Sequence, residues 1–316
     1  MTPCSTMSPT LTPHAMSRRR AVGLVVAGAV GFASGLAVDR ASGWAQTGTP
    51  AVEDAGYPLV EIVGKDFSFE MPAEIPGGLT QFTLHNEGAF THHVIFVRLR
   101  EGVTQAEIDA AASEQEYLPL LALGEPFGGP NAAPAGGSAT AIVDLPAGDY
   151  LVFCVIGDAE GVLHYRHGMI APLTVTPAPA SRPAPAASQT ITLRDYTFDG
   201  LPSELPAGRQ VWQITNEGPE THELVVFRQL PGVTFEMVAE SFGIAPQGTP
   251  VAGATMPPGP PFEDVGGVTL IGPGVTNWAV LDLEPGAYFA NCFVLSPNRD
   301  HAPHFAFGMI QPFTVA

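Results

Sequence analysis

Residues 292–309 read CFVLSPNRDHAPHFAFGM and carry Cys292, His304 and Met309 in that order. In this stretch the cysteine closes a strand-like run, and the methionine opens another. A thiolate, an imidazole and a thioether on one loop between two strands are soft and borderline ligands that copper prefers, so the stretch predicts a metal site. The same order occurs earlier, again with the methionine five positions after the histidine: Cys154, His164 and Met169.

The stretch belongs to a duplication. Equivalent positions lie 130 residues apart around His92 and His222, 138 apart around the two cysteines, and 140 apart around the histidine–methionine pairs. The offset grows in only two places, so the insertions are expected in loops. Residues 177–188, rich in proline and alanine, are predicted to form an extended, semi-rigid linker. We therefore predict two domains, residues 56–176 and residues 189–316.

Short β-rich runs separated by glycine and proline predict strands in both copies. One short helix per copy is expected after the histidine-bearing strand, with a capping box of Thr104 and Glu107 in the first copy and Thr234 as the cap in the second. The Gly/Pro-rich stretches 124–137 and 246–267 are expected to be coil. The pattern is typical of an antiparallel sandwich or barrel in each copy. The predicted strands are 59–63, 79–84, 93–99, 140–145, 150–154, 170–175, 190–193, 211–215, 223–228, 277–283, 288–292 and 310–315.

The first 45 residues have the composition of an export signal. Arg18, Arg19 and Arg20 precede a glycine-rich apolar run, residues 21–38, and small residues near Ala45 suit cleavage. The arginine pair resembles a twin-arginine signal, so we expect a periplasmic, cell-surface or extracellular protein that is free of the membrane after cleavage. The alternative is an uncleaved membrane anchor, because 18 apolar residues can just span a bilayer.

The remaining chain is strongly acidic. Without residues 1–45 it keeps 9 basic and 30 acidic residues, a formal net charge of −21, and Lys65 is the only lysine. Such a surface repels nucleic acid and favours a basic partner, such as a basic redox protein, through long-range attraction. A solvated acidic surface without a specific partner explains the charge equally well, and the sequence predicts no particular oligomeric state.

Each copy has a further histidine at the start of an earlier strand. The segments NEGAFTHHVIF and NEGPETHELVVF place His92 and His222 there, six residues after an asparagine. Two imidazoles and a thiolate form a trigonal copper plane, which a weak axial thioether completes. Cys4 leaves with the predicted signal, so one cysteine per copy remains. Metal ligation explains one cysteine per copy better than a disulfide between two equivalent positions does.

These residues resemble the pattern of the cupredoxin family, the blue-copper proteins. The pattern is an Asn-x-Gly-type turn before the first histidine, then Gly-x-Tyr-x-x-x-Cys, a loop, and a histidine with a following Gly-Met. The resemblance implies an all-β protein of two tandem Greek-key β-sandwich domains that bind copper. The ligands it implies are His92, Cys154, His164 and Met169 in the first copy and His222, Cys292, His304 and Met309 in the second.

The chain departs from small blue-copper proteins in its loop length. Nine residues separate Cys154 from His164 and eleven separate Cys292 from His304, where those proteins have a tighter loop. Zinc is the rival metal, but a methionine ligand favours copper. Without a metal, the same residues would be core methionines, inert buried thiols and hydrogen-bonded histidines.

Apart from His14 in the predicted signal, four histidines remain outside this assignment. His93 is expected to point away from His92, since side chains alternate along a strand. His167 and His301 are close enough in sequence to replace a proposed ligand, and His85 is expected to be structural.

Three functions follow from these residues: an exported electron carrier or copper-binding protein, a metal-free interaction sandwich, and a copper oxidoreductase of the nitrite reductase or small laccase type. The resemblance implies that such enzymes connect the blue site to a catalytic copper through a histidine next to the copper cysteine. No histidine flanks either cysteine here, so we predict an electron carrier rather than an enzyme. The flanking residues are Phe153, Val155, Asn291 and Phe293.

Overall fold

The computed structural model describes residues 56–244 and 259–316. The predicted signal, residues 1–45, lies outside the described residues, as does the first part of the stretch 246–267. Within the described ranges, no helix combines the length and the apolar character needed to cross a bilayer.

The described residues form eighteen strands, nine in each repeat, and every predicted strand overlaps one of them. The prediction of an all-β chain is therefore confirmed. The first repeat contains β1 (Leu59–Lys65), β2 (Ser68–Glu70), β3 (Glu74–Pro76), β4 (Gly78–Asn86), β5 (Ile95–Leu99), β6 (Gly124–Gly128), β7 (Ser138–Leu145), β8 (Gly148–Phe153) and β9 (Ile170–Thr176). The second contains β10 (Gln189–Arg194), β11 (Thr197–Asp199), β12 (Glu204–Leu205), β13 (Gly208–Asn216), β14 (His222–Gln229), β15 (Phe262–Ile271), β16 (Thr276–Leu283), β17 (Gly286–Asn291) and β18 (Ile310–Val315).

The predicted helices are present in both repeats. Helix α1 (Gln105–Ala112) begins after Thr104, which forms the capping box with Glu107. The first repeat also has an additional short helix, α2 (Leu118–Leu121). In the second repeat α3 (Phe235–Ser241) begins after Thr234, whose side chain accepts a hydrogen bond from a backbone N–H of the first turn.

The expectation that residues 124–137 and 246–267 are coil is wrong for part of each stretch. They contain β6, which pairs with β5, and most of β15, which pairs with β14. Glycine here permits close backbone approach rather than ending a strand. A Cβ on Gly129 would lie 2.2 Å from the carbonyl oxygen of Val94, and Gly267 is equally confined. Such pairing depends on distant parts of the chain, which is why local composition mispredicts it.

The strands form two sheets, and each sheet runs through both repeats. Their orders are β11-β10-β13-β16-β7-β4-β1-β2 and β12-β18-β17-β14-β15-β6-β5-β8-β9-β3. Most neighbours are antiparallel as predicted, but two pairs in each repeat are parallel: β1 with β4 and β3 with β9, and their equivalents β10 with β13 and β12 with β18. The sheets face each other across the core, where Phe82 of β4 and Phe96 of β5 have ring centroids 4.7 Å apart. The predicted sandwich class is confirmed.

The two repeats meet where equivalent strands pair with each other. β7 pairs antiparallel with β16, and β6 with β15. Ala141 lies opposite Ala279, its own equivalent 138 residues later, and Pro130 bridges to Val268 with the same offset. An approximate twofold axis therefore passes between these pairs. Because of this axis, a residue of one repeat that lies near the boundary is close to the equivalent residue of the other repeat.

Candidate metal centres

The structure brings two histidines and the cysteine of each repeat together. The ligand atoms of each group lie within 4.8 Å of one another, and all six side chains have 0% exposure. Both cysteines are free thiols. Among the described residues, these are the two groups of three or more His, Cys, Asp or Glu side chains with that spacing. They are His92, Cys154 and His164 in the first repeat and His222, Cys292 and His304 in the second.

The donor atoms are spaced as they would be around one ion. The two histidine Nδ1 atoms lie 3.1 Å apart in the first group and 3.0 Å apart in the second. The cysteine Sγ lies 3.5 Å and 3.4 Å, respectively, from the Nδ1 of the later histidine. Donors that surround an ion at about 2.0–2.3 Å are themselves roughly 3–4 Å apart. An ion therefore fits both groups without rearrangement of the fold.

Backbone hydrogen bonds hold the cysteine, the second histidine and the methionine of each repeat in one compact turn. Cys154 N–H donates to the carbonyl of Met169 at 3.2 Å, and Met169 N–H donates to that of His164 at 3.1 Å. Gly168 ends the intervening 3-10 helix with φ of 114°, a conformation that favours glycine. The second repeat contains the same two bonds and ends its turn at Gly308.

The long cysteine-to-histidine loops do not displace the second histidine. His164 N–H donates to the carbonyl of Ile156 at 2.8 Å, and His304 N–H donates to that of Val294 at 2.9 Å. Each loop thus returns to the residue two positions after its cysteine, and the additional residues of the loop form a separate turn. The longer loops therefore add residues around the site and leave the second histidine close to its cysteine.

The methionines are buried beside these groups. Met169 and Met309 both have 0% exposure. A Cβ on Gly64 of β1 would lie 3.5 Å from Met169 Cε and 3.4 Å from His92 Cδ2, so the thioether side chain and the first histidine both approach Gly64. Leu193, fully buried, occupies the position of Gly64 in the second repeat. Axial ligation by either methionine stays a prediction.

Two aspartates that the sequence analysis did not single out orient the first histidine of each group. Asp66 Oδ1 lies 2.9 Å from His92 Nε2, and Asp195 Oδ1 lies 2.8 Å from His222 Nε2. Each carboxylate accepts the Nε2–H, which leaves the Nδ1 lone pair directed at the group. Gly88 makes room for this contact, since a Cβ there would lie 2.2 Å from Asp66 Oδ1. The sequence feature that could have identified these aspartates is the repeated motif KDFSF and RDYTF, whose two copies lie 129 residues apart.

The two centres differ around the second histidine. In the first repeat the rings of Phe67 and Phe90 surround His164, at 4.9 and 5.6 Å between centroids, and His164 Nε2 has no partner among the described residues. In the second repeat Glu220 takes the place of Phe90, and its Oε2 lies 3.0 Å from His304 Nε2.

Hydrogen bonds hold Glu220 in its charged form. Burial alone would raise its pKa, but hydrogen bonds from Asn298, Ser296 and His304 bring the pKa below its ordinary value. The second centre therefore has a largely buried negative charge at a position where the first centre has an apolar ring.

With His304 neutral, protons alone do not satisfy the hydrogen-bonding groups of the second donor set. Because His222 Nε2 donates to Asp195, its Nδ1 is an acceptor that faces His304 Nδ1. His304 Nε2 faces the Glu220 carboxylate, so both nitrogens of His304 face acceptors. Burial lowers the pKa of His304 to about 4, and a neutral imidazole has one N–H. A cation bound at Nδ1, with Nε2–H donating to Glu220, satisfies every contact.

The protonation of the donors suits metal binding with release of a proton. Burial lowers the pKa of His164 to about 4, so both second histidines are neutral at neutral pH. Burial raises the pKa of Cys154 to about 12 and that of Cys292 well above its ordinary value. Each thiol must therefore lose its proton to the solvent when an ion binds.

The remaining histidines lie outside both donor groups. His167 contacts Asp158 at 2.7 Å, and His301 contacts Glu116 at 2.6 Å. His85 lies 3.6 Å from Glu61 on the surface. His93 is buried and belongs to neither donor group: its ring contacts the N–H of Val155 and the side chain of Asn131. Its orientation opposite to His92 stays a prediction.

Two buried His–Cys–His groups, each beside a buried methionine and carried on strand ends of a cupredoxin-like β-sandwich, are donor sets of the type 1 copper kind. A redox-inert zinc site of the structural type would have four strong N or S ligands. The soft thiolate with a thioether nearby fits copper better.

No family model matches the sequence, and no curated protein matches it. Among solved structures, the chain is similar to dithionite-reduced auracyanin from Roseiflexus castenholzii, with 23% identity over 38% of this chain and 97% of that one, and a TM-score of 0.27. It is similar to a blue copper oxidase from Nitrosomonas europaea, with 16% identity over 82% of this chain and 85% of that one, and a TM-score of 0.24. It is also similar to a copper-containing nitrite reductase from Thermus scotoductus SA-01, with 14% identity over 82% of this chain and 61% of that one, and a TM-score of 0.22.

Proposed function

We propose that the protein binds one copper ion in each repeat and carries single electrons, and that it does so after export from the cytoplasm. The observation that carries the proposal is the duplicated, fully buried His–Cys–His group, whose donor atoms all lie within 4.8 Å of one another and whose second histidine has both other donors within 3.5 Å. The unsatisfied proton pattern of His304 supports a cation at that position. The predicted signal in residues 1–45 supports export.

Copper, when bound, supplies a one-electron couple between Cu(II) and Cu(I). The chain fixes its ligands on strand ends and on a hydrogen-bonded turn, and Asp66 and Asp195 hold the first histidines in place. Burial excludes water from the donors. A frame of this kind limits rearrangement when the charge of the ion changes, which favours fast electron exchange.

An electron carrier needs no further metal site. The described residues contain no third group with the ligand spacing of these two, so an oxidase or nitrite reductase would need a catalytic copper built elsewhere, such as between subunits. The acidic surface supports a basic redox protein as the partner.

Reconstitution of the purified protein with Cu(II) tests the proposed function. We expect two copper ions per chain and an intense visible band from thiolate-to-copper charge transfer, which ascorbate bleaches and reoxidation restores. Colourless or absent copper binding would support the metal-free interaction sandwich. Turnover of nitrite or a phenol would support the oxidoreductase.

The charge of Glu220 predicts different reduction potentials for the two centres. A negative charge stabilises Cu(II) over Cu(I), so Glu220→Gln should raise the potential of the second centre. A charge within several ångströms corresponds to about 1–2 kcal/mol, or on the order of 50–100 mV for a one-electron couple. Spectroelectrochemistry in a Cys154→Ser background isolates this centre. Glu217→Gln, at an exposed neighbouring carboxylate, is the control and should shift the potential less; equal shifts would contradict the assignment.

A further inference from the structure

A series of buried polar side chains crosses the boundary between the repeats and connects the surroundings of the two cysteines. It consists of His93, Asn131 and Glu223, with exposures of 4%, 2% and 4%. His93 follows His92, and Glu223 follows His222, so the series joins equivalent positions of the two repeats through Asn131. We call it the His93–Asn131–Glu223 bridge. Neither donor group includes any of its members.

The first half of the bridge begins at the peptide that follows Cys154. Val155 donates its N–H to His93 Nε2 at 2.9 Å. Because that nitrogen accepts, Nδ1 carries the proton of the neutral ring and donates to Asn131 Oδ1 at 3.3 Å. The amide of Asn131 is thereby oriented, with its oxygen toward the first repeat and its NH₂ toward the second.

The second half ends at the peptide that follows Cys292. Asn131 Nδ2 donates to Glu223 Oε2 at 3.1 Å and to the carbonyl of Val268 at 3.2 Å. Phe293 donates its N–H to the other carboxyl oxygen, Glu223 Oε1, at 3.0 Å. The N–H of Glu223 also donates to Cys292 Sγ at 3.4 Å. Hydrogen bonds in series therefore link the peptide after one cysteine to the peptide after the other.

We propose that the His93–Asn131–Glu223 bridge is the route by which an electron passes between the two metal centres. The proposal rests on copper binding in both repeats. Copper in one repeat is oxidised from Cu(I) to Cu(II), and copper in the other is reduced from Cu(II) to Cu(I). No covalent bond breaks and no proton leaves the bridge. An external one-electron donor and an external one-electron acceptor complete the balance.

The geometry favours this route for two reasons. A hydrogen bond brings its two groups closer than an ordinary van der Waals contact, which improves electronic coupling. The bridge also crosses near the approximate twofold axis, where the path between equivalent positions is short. The Glu220 carboxylate lies beside the second centre alone, so the first centre is expected to be the electron acceptor.

Pulse radiolysis of the protein with both coppers bound tests the proposal. After a brief one-electron reduction, we expect a spectral phase whose rate does not depend on protein concentration and which is absent from the one-copper variant Cys292→Ser. Asn131→Leu keeps the side-chain size but removes all three hydrogen bonds of the amide, those to His93, Glu223 and the Val268 carbonyl. It should slow that phase by about an order of magnitude. Thr269→Val is the matched control, because Thr269 is buried at the same boundary and donates to the Val94 carbonyl at 2.7 Å outside the bridge.

Copper content and colour are measured first for each variant, so that loss of a centre is distinguished from loss of the route. If Asn131→Leu does not fold, Asn131→Ala removes the same hydrogen bonds with a smaller side chain. An unchanged rate in either folded variant, or equal slowing in Thr269→Val, overturns the route while the copper sites stand. Failure of the parent protein to bind copper at both centres overturns the proposed function and, with it, the route.

Discussion

Replacing Cys154 with serine should lower the copper content from two ions to one per chain and remove about half of the visible absorbance. The thiolate is the one soft, charged donor in the first group, and its charge-transfer transition is the source of the colour. A serine hydroxyl stays protonated near neutral pH and is a poor ligand for copper. Metal analysis and absorption spectra of the folded variant measure both effects.

The duplication provides the matched control for this variant. Cys292→Ser should remove the other ion and leave the first centre coloured, and the double variant should be colourless. Each variant should also lose the thermal stabilisation that copper gives to its own repeat, because an ion that binds the folded state alone stabilises it by mass action. Retention of both ions and full colour in either single variant would contradict the ligand assignment.

The second large effect is expected from the aspartates behind the first histidines. In Asp66→Asn one of the two former carboxylate oxygens becomes an NH₂ group. Asp66 Oδ1 faces His92 Nε2–H and Oδ2 accepts from Ala89 N–H at 2.8 Å, so either amide orientation places two donors against each other. We expect copper affinity at the first centre to fall about 10–100-fold, as for other partners of metal-bound histidines.

Competition with a copper chelator measures this loss of affinity. Asp195→Asn should weaken the second centre in the same way and leave the first unchanged, so each variant is the control for the other. Equal affinity in parent and variant would mean that the aspartates do not position the imidazoles. Weakening of both centres by one substitution would indicate a loss of the fold rather than of the local contact.

Much of the fold and of the candidate site could be predicted because its determinants are local in sequence. The cysteine, histidine and methionine of each repeat lie within one loop, and their order is repeated with constant spacing from histidine to methionine. The N-caps at Thr104 and Thr234 depend on neighbouring residues alone. The predicted strands were apolar β-rich runs whose alternation reflects burial on one face.

The features that sequence reasoning missed depend on contacts between distant residues. Strands β6 and β15 form by pairing with β5 and β14 and meet each other at the boundary between the repeats, while their glycines alone indicate coil. Asp66 lies 26 positions before His92 and meets it only in the folded sheet. Asn131 had no motif around it, and its role between the repeats follows from the approximate twofold axis. The exchange of Phe90 for Glu220 was visible in the sequence, but its contact with His304 was not.

The duplicated fold carries two donor groups that have the same ligand types but different surroundings. The equivalent donors come from equivalent strand ends and turns, whereas Phe90 and Glu220 change the charge beside them. Because the two centres have the same ligand types but different neighbouring charges, we expect one chain to hold two copper centres with different reduction potentials.

Diffraction at the copper absorption edge from crystals of the copper-loaded protein tests the central claim most directly. We predict two anomalous peaks per chain, each about 2.0–2.3 Å from one cysteine Sγ and from the Nδ1 atoms of both histidines in its group. Copper bound to surface histidines such as His85, His167 or His301, with no peak at either buried group, would contradict the account.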